Sequence, residues 1–265
     1  MAQSIDHPDD PRIAAYRHIR ERDLVGREGL FVAEGEVVLR VLARSTLVEP
    51  VSVLLAEKRV AGLAEITDAL PAVVPVYAAG QAVMDAIVGF PIHRGILAVG
   101  RRRATPSAVE LLAGLPARAT VLVLCGIANH DNMGGLFRNA AAFGADAVLL
   151  DADCCDPLYR KAIRVSVGAS LIVPFARVGR GEDLCGLLRA ARFEVLALSP
   201  RGETRLADLE RPERAAVLLG AEGPGLPEAL MARARTVSIP MAAGFDSLNV
   251  AVTAGIVLNH LADRR

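Results

Sequence analysis

A chain of 265 residues, 52% of them hydrophobic, allows one large domain or two modest ones with a sizeable core. Its 30 basic and 30 acidic residues cancel, which excludes a basic tail coating nucleic acid but leaves room for a local basic face. Aromatics make up 4%, with no Trp, so the core must be mostly Ala, Val, Leu and Ile.

In chain order, residues 1–10 are polar and read as loose. "DPRIAAYRHIRERDLVGREG" reads as a short charged helix ending at Gly26 or Gly29. From Phe31 strand-like and helical runs alternate. "FVAEGEVVLRVLARS" is a strand turning into a helix, "VEPVSVLLAE" a strand, "VAGLAEITDAL" a helix, "AVVPVYAAG" a strand, "QAVMDAIVG" a helix and "RGILAVGRR" a strand. This is a compact α/β unit. "GRRRATPSAVELLAGLPARA" breaks the rhythm and reads as a connection, its Arg101–Arg103 run either a solvated linker or part of a nucleic-acid face.

The second half is a clearer series. "TVLVLCGI" is a continuous apolar run, as expected of a strand covered on both faces. Asn129 to Gly144 begins as a polar loop and becomes an apolar helix with one cation, Arg138. Strands at "ADAVLLD", "IVPFARV", "FEVLALS", "RAAVLLG" and "RTVSIP" follow. Between them come helices at "DPLYRKAIRVSVGAS", capped at Asp156–Pro157, and at "GEDLCGLLRAAR", "PEALMARA" and "SLNVAVTAGIVLNHLADRR". Strands separated by helices imply a parallel sheet.

Cys125, Cys154, Cys155 and Cys185 show neither paired metal-site spacing nor a secretory framework. Cys125 lies in an apolar strand, as a small buried hydrophobe would. No N-terminal apolar run follows a basic start, and no stretch is long and apolar enough to span a membrane. A cytoplasmic protein is expected.

Ligands of open parallel sheets bind beyond the carboxyl ends of the strands. Three loops there have unusual compositions: "NHDNMGG", "GAEGPGLP" around Glu222, and "IPMAAGFDSLN". Neither a phosphate-loop GxxxxGK[ST] nor a dinucleotide GxGxxG is present. An oxidoreductase holding a ribose with Asp151 would therefore lack its fingerprint. Glycines let a backbone approach a ligand closely, but "GAEGPGLP" taken alone also fits a tight turn before a helix. Asp246 or Ser247 could cap the last helix, a role that does not account for Asn249. Arg138 could pair with a carboxylate, Glu222 among the candidates. His130 and Asp131 are too few to make a metal set, and no metal is expected.

Taken together the three loops resemble the motifs of the SpoU/TrmH branch of the SPOUT RNA methyltransferases. Asn132, Gly134 and Arg138 followed by "AAAFGAD" match the first motif, "LLGAEGPGLP" the second and "IPMAAGFDSLNVAVTA" the third. "RKAIRVSVGASLIVPF" fits the segment between the first two. The resemblance covers Thr120 to about Leu261, and "FVAEGEVVLRVL" with "PIHRGILAV" is more loosely similar to an RNA-binding domain of the ribosomal-protein L30e type. Where many members carry Asp-Pro, this chain has Asn129-His130, and Arg94 stands where Gln is commoner.

The resemblance implies a fold and an activity. The fold is an α/β chain with an RNA-binding domain over residues 1–100, a linker over 101–118 and a parallel-sheet methyltransferase domain over 119–265 closed by a trefoil knot. The activity is transfer of a methyl group from S-adenosylmethionine to a ribose 2′-hydroxyl of tRNA or rRNA by a homodimer. A catalytically silent RNA-binding protein of the same fold is the alternative. The resemblance implies that Gly220, Gly223, Ile239, Met241 and Leu248 hold the cofactor. It implies that Arg138 stabilises charge at the reacting oxygen or a flanking phosphate, that Asn132 and Glu222 position that group or shape the pocket, and that Ser247 and Asn249 fix the third loop and contact cofactor or ribose. On this division of labour, a chain from about Ala104 onward should still dimerise and bind cofactor but bind RNA much more weakly.

Overall fold

The structure is a computed structural model that describes residues 2–17, 29–88, 95–242 and 247–262. In chain order the elements are β1 (Gln3–Ile5), β2 (Leu30–Glu34), α1 (Glu36–Arg44), β3 (Val48–Ala56), α2 (Ala64–Asp68), β4 (Val76–Ala79), α3 (Gln81–Val88) and β5 (Ile96–Arg102). Next come α4 (Ala108–Ala113), β6 (Ala119–Leu124), α5 (His130–Phe143), β7 (Ala147–Leu150), α6 (Arg160–Val165), β8 (Phe175–Arg177) and α7 (Leu184–Ala190). The chain closes with β9 (Glu194–Leu198), β10 (Thr204–Arg205), β11 (Arg214–Leu219), α8 (Glu228–Met231), β12 (Arg235–Ser238) and α9 (Val250–Leu261).

The elements form two compact units. The first holds a mixed sheet in the order β1-β4-β3-β5-β2, with β5 antiparallel to both β2 and β3 and the other pairs parallel. Residues 1–10 are not loose throughout. Gln3, Ser4 and Ile5 pair with Tyr77, Ala78 and Ala79, and Ile5 is buried with Ile13 and Tyr16 in one apolar cluster. The Tyr16 hydroxyl and Ser52 Oγ lie 2.7 Å apart in this core, and burial pushes the phenol pKa well up. Of the charged helix expected after Asp10, Pro11–Tyr16 is a 3-10 stretch; residues 18–28, with the expected end at Gly26, lie outside the described residues.

Arg101 and Arg102 are strand residues rather than linker, paired in register with Leu30 and Val48. Nor is the stretch after them a tether. Ser107 caps α4 through a full capping box with Glu110, and Ala108, Leu111 and Leu112 enter the core of the second unit. Arg214 fixes the helix's far end, donating to the carbonyls of Leu112, Leu115 and Pro116 while its guanidinium lies 4.3 Å from the centre of the Phe193 ring.

The second unit carries a seven-stranded sheet, every pair parallel, in the order β10-β12-β9-β11-β6-β7-β8. All six residues of β6 are buried, as a strand covered on both faces requires. Because the strands are parallel, all their carboxyl ends lie along one edge. From β6 the chain runs outward to β7 and β8, then returns to build β9, β11 and β12 on the other side. The order therefore reverses between β6 and β11, where Leu124 faces Leu219 in register. A crevice outside such a reversal is the usual ligand position in open α/β sheets.

Leu158–Ile172, read from the sequence as part of the second half, packs with the first unit. The helix in it begins at Arg160 behind Tyr159, not at Asp156–Pro157, and Asp156 instead pairs with Arg177 at 3.5 Å. Leu158, Ala162, Ile163 and Leu171 are at most 1% exposed, and Ser45 Oγ donates to the Leu171 carbonyl. A chain begun at Ala104 would strip this segment of its partners, at about 1.5–3 kcal/mol for each large apolar side chain bared. Such a truncation is expected to unfold at a lower temperature than the full chain and to be cut early by trypsin at Arg160, Lys161 or Arg164. An unchanged thermal midpoint with trypsin resistance there would show that the segment stands without residues 1–103.

Candidate active site

Three loops leave the carboxyl edge of the second sheet, after β6, β11 and β12. The first enters α5 through Asn129, whose Oδ1 accepts hydrogen bonds from the backbone N–H of Asp131 at 2.8 Å and Asn132 at 3.3 Å. Asn129 is thus a working N-cap in this chain. The helix stops at Gly144 in the left-handed conformation, with φ of 70°.

The first loop is held from the side by the turn after β7. Asp151 accepts from the N–H of Gly126 at 2.9 Å through one oxygen, and from those of Asp153 and Cys154 at 3.0 Å through the other. Its carboxylate is committed to backbone, so it is not the ribose ligand of an oxidoreductase. Cys154 Sγ donates to the Leu124 carbonyl and accepts from Ile127 N–H, both at 3.3 Å. Burial is the main cause that pushes the Cys155 thiol up to about 11 and the Cys125 thiol up to about 12, and it drives Cys154 further in the same direction. An unfolded thiol ionises from about pH 8.5. The folded thiols resist, so the stability they confer is present below that pH and lost as pH rises toward 11 and 12. The urea midpoint should fall between pH 8 and 10, less steeply in Cys154→Ala; identical slopes would remove Cys154 from the linkage.

The second loop is closed on itself by an Ala221–Gly225 bridge, with Gly225 N–H donating to the Ala221 carbonyl at 3.0 Å. Gly223 and Gly225 have φ of 87° and 70°, and open space lies where a Cβ would project. Gly220 differs. A Cβ there would fall 2.2–2.5 Å from backbone atoms of Gly225 and Leu226. Its lack of a side chain is demanded by the loop's own path, before any ligand is considered. Gly220→Ala should therefore lower the free energy of unfolding in urea by about 1–3 kcal/mol. Unaltered stability with lost ligand affinity would mean that the glycine serves the ligand alone.

The third loop delivers the residue that joins the other two. Asn249, not Ser247, is the N-cap of α9; Asp246 lies outside the described residues. Asn249 Oδ1 accepts from the N–H of Ala251 at 2.9 Å and Val252 at 3.3 Å. Its Nδ2 donates to Asn132 Oδ1 at 2.9 Å and to Glu222 Oε1 at 3.2 Å. One side chain from each loop thus meets in a single network. Asn132 is only 7% exposed, so its amide oxygen needs this partner.

Arg138 is exposed on α5 and makes no hydrogen bond or ion pair among the described residues. The pairing with Glu222 does not form; that carboxylate takes the Asn249 amide instead. Gly220 and Gly223 share the loop of Glu222, Ile239 and Met241 are half-buried just beyond β12, and Ser247 and Leu248 are exposed beside the Asn249 cap. Leu248 is 43% exposed. Sequence reasoning overlooked Asn129 and Asp151 as loop-holding residues. An Asn one residue before a helix, followed by an acid in its first turn, was a readable cap signal.

The model of the SpoU rRNA Methylase family matches residues 119–259, a span that contains all three loops. The chain belongs to the SpoU rRNA methylase family. As a SpoU methylase it is an RNA methyltransferase. It is 40% identical to an uncharacterized tRNA/rRNA methyltransferase of Mycobacterium bovis, over 96% of this chain and 89% of that protein. It is 32% identical to the 23S rRNA (guanosine-2′-O-)-methyltransferase RlmB of Salmonella typhi, over 63% of this chain and 70% of that one. Its fold matches that of an AdoMet-bound rRNA methyltransferase from Sinorhizobium meliloti with a TM-score of 0.82 at 22% identity, covering 98% of this chain and 97% of the other. Among the described residues of this SpoU methylase no helix is long and apolar enough to cross a membrane, and no group of three His, Cys, Asp or Glu could hold a metal ion.

Proposed function

We propose that this SpoU methylase transfers the methyl group of S-adenosylmethionine to a ribose 2′-hydroxyl of tRNA or rRNA. The observation that carries this is the union of Asn132, Glu222 and Asn249 in one network, with the exposed cation Arg138 less than two turns beyond Asn132 on α5. The similarity to the Salmonella guanosine-2′-O-methyltransferase supports the ribose oxygen as acceptor.

The residues fit the donor. The bare backbone at Gly223 and Gly225 leaves room for a flat ring, and the exposed Leu248 offers an apolar surface. Gly220, Gly223, Ile239, Met241 and Leu248 would hold the nucleoside. When bound, the donor supplies an electrophilic methyl carbon. A ribose hydroxyl is a weak nucleophile whose oxygen gains negative charge as its proton passes to solvent water. A guanidinium is a permanent cation with five donors, so Arg138 stabilises that charge or a flanking phosphate instead of acting as a base. Asn249, locked by its two acceptors, aligns the first and second loops, and Ser247 contributes a hydroxyl beside it. No metal takes part in this scheme.

The first unit, with α6, binds the RNA in the manner of an L30e-type domain; its mixed five-stranded sheet supports this. The return of the chain from β12, seated between β10 and β9, to α9 against α5 supports a trefoil knot. Val252 and Ile256, one turn apart on α9 and 51% and 40% exposed, support a homodimer in which Arg138 serves the partner's cofactor.

The test uses methyl-tritiated donor with unmodified tRNA and rRNA. Label should appear in alkali-stable dinucleotides and vanish when the target ribose is replaced by deoxyribose. Arg138→Ala should keep donor affinity within a few-fold and lose about a hundredfold in kcat, about 3 kcal/mol of transition-state stabilisation. Label in the free base, or retained with the deoxy substrate, overturns the ribose assignment. RNA binding with no transfer to any RNA favours the silent binder.

A further inference from the structure

We infer that Asn139 is a positioning residue for methyl transfer, acting through Asn249. The inference rests on the ribose-methylation reading above. Asn139 follows the exposed Arg138 and points the other way, into the crossing of α5 and α9. Its Nδ2 donates to the Ala251 carbonyl at 2.5 Å. That carbonyl lies in the first turn of α9, two residues past the cap. The two helices approach closely enough there that a Cβ on Gly135 would come within 2.8 Å of the Ala251 methyl. A Cβ on Gly255 would sit 3.3 Å from the Asn139 Nδ2 itself.

These contacts define the first turn of α9 twice over. Gly135 sets how near the helix can lie. The Asn139 bond sets its rotation and its height along α5, since a hydrogen bond weakens steeply with misalignment. The same turn carries Ala251 and Val252, whose N–H groups hold Asn249 Oδ1 and so aim Nδ2 at Asn132 and Glu222. A shift of α9 would carry the Asn249 amide with it and pull the first and second loops out of register. A misplacement of about 1 Å in a catalytic arrangement costs up to a hundredfold in rate. Asn139 touches none of the reacting atoms in this scheme; its contribution is the place of the cap.

The full-length protein is assayed with tRNA and rRNA as Asn139→Ala, Asn139→Asp, Asn249→Ala and the double variant Asn139→Ala/Asn249→Ala. Asn139→Asp keeps the shape and removes the donor. Both Asn139 variants should lose on the order of tenfold in kcat, with KM for RNA little changed. In the Asn249→Ala background the Asn139→Ala change should cost less than about twofold, because the group through which it acts is gone. Equal losses in both backgrounds, or wild-type kcat in Asn139→Asp, overturn the inference. Gly255→Ala, which presses on the amide without removing it, should show the same pattern in weaker form; wild-type kcat there counts against the clamp. Hydrogen exchange supplies a readout independent of turnover: the peptide over residues 247–256 should exchange faster in Asn139→Ala than in wild type, and unchanged protection overturns the clamp. If the wild-type protein methylates no ribose, the functional reading falls, while the exchange data still decide the clamp.

Discussion

One side-chain amide joins what three separate loops bring to the site. Asn249 uses its oxygen to cap α9 and its nitrogen to hold Asn132 and Glu222, so its hydrogen-bonding capacity is fully committed. The orientation is fixed by chemistry. Turned over, the amide would present its nitrogen to the helix N–H groups and its oxygen to two acceptors, losing all four bonds. Neither Asp nor Ser can replace it in both duties. Asp offers no donor toward Asn132 and Glu222, and Ser is too short to meet two loops while capping. A residue that caps a helix at its entry therefore also sets the spacing of the two loops that follow β6 and β11.

The sheet makes this arrangement possible. Parallel strands put every loop of interest on one edge, and the reversal of order between β6 and β11 opens a crevice there. Around it, rigidity comes from side-chain-to-backbone bonds. Asn129 starts α5, Asp151 holds Gly126 and its own turn, and Cys154 bridges Leu124 and Ile127. Against this fixed surround Arg138 is left exposed.

Six of the seven strands of the second unit, all but the two-residue β10, and the three loops were legible in the sequence because both signals are local. Continuous apolar runs give buried strands, and glycine or amide clusters interrupt them. What the sequence withheld depends on partners distant in the chain. Gln3–Ile5 is three residues long with one apolar side chain, and its pairing with β4 makes it a strand. Ser247 and Asn249 are comparable caps by propensity; the choice between them is made by Asn132 and Glu222 waiting on other elements. Gly220 looked like a residue spared for a ligand, whereas the loop's own backbone fills the space. Asn139 gives no local signal, since its acceptor lies 112 residues away.

The discontinuous make-up of the first unit bears on how proteins of this architecture could exchange parts. The chain passes between the two units at 104–105, at 157–158 and at 172–173. A chimera joined only at the first of these junctions would seat α6 against a foreign β2 and the 168–171 turn against a foreign α1, mismatching the surfaces around Ile163 and Leu171. Two cassettes must travel together, residues 1–104 and 158–172, although more than fifty residues separate them. Divergence in the first unit is thereby tied to a short stretch embedded in the methyltransferase region, and the two are bound to change as a pair.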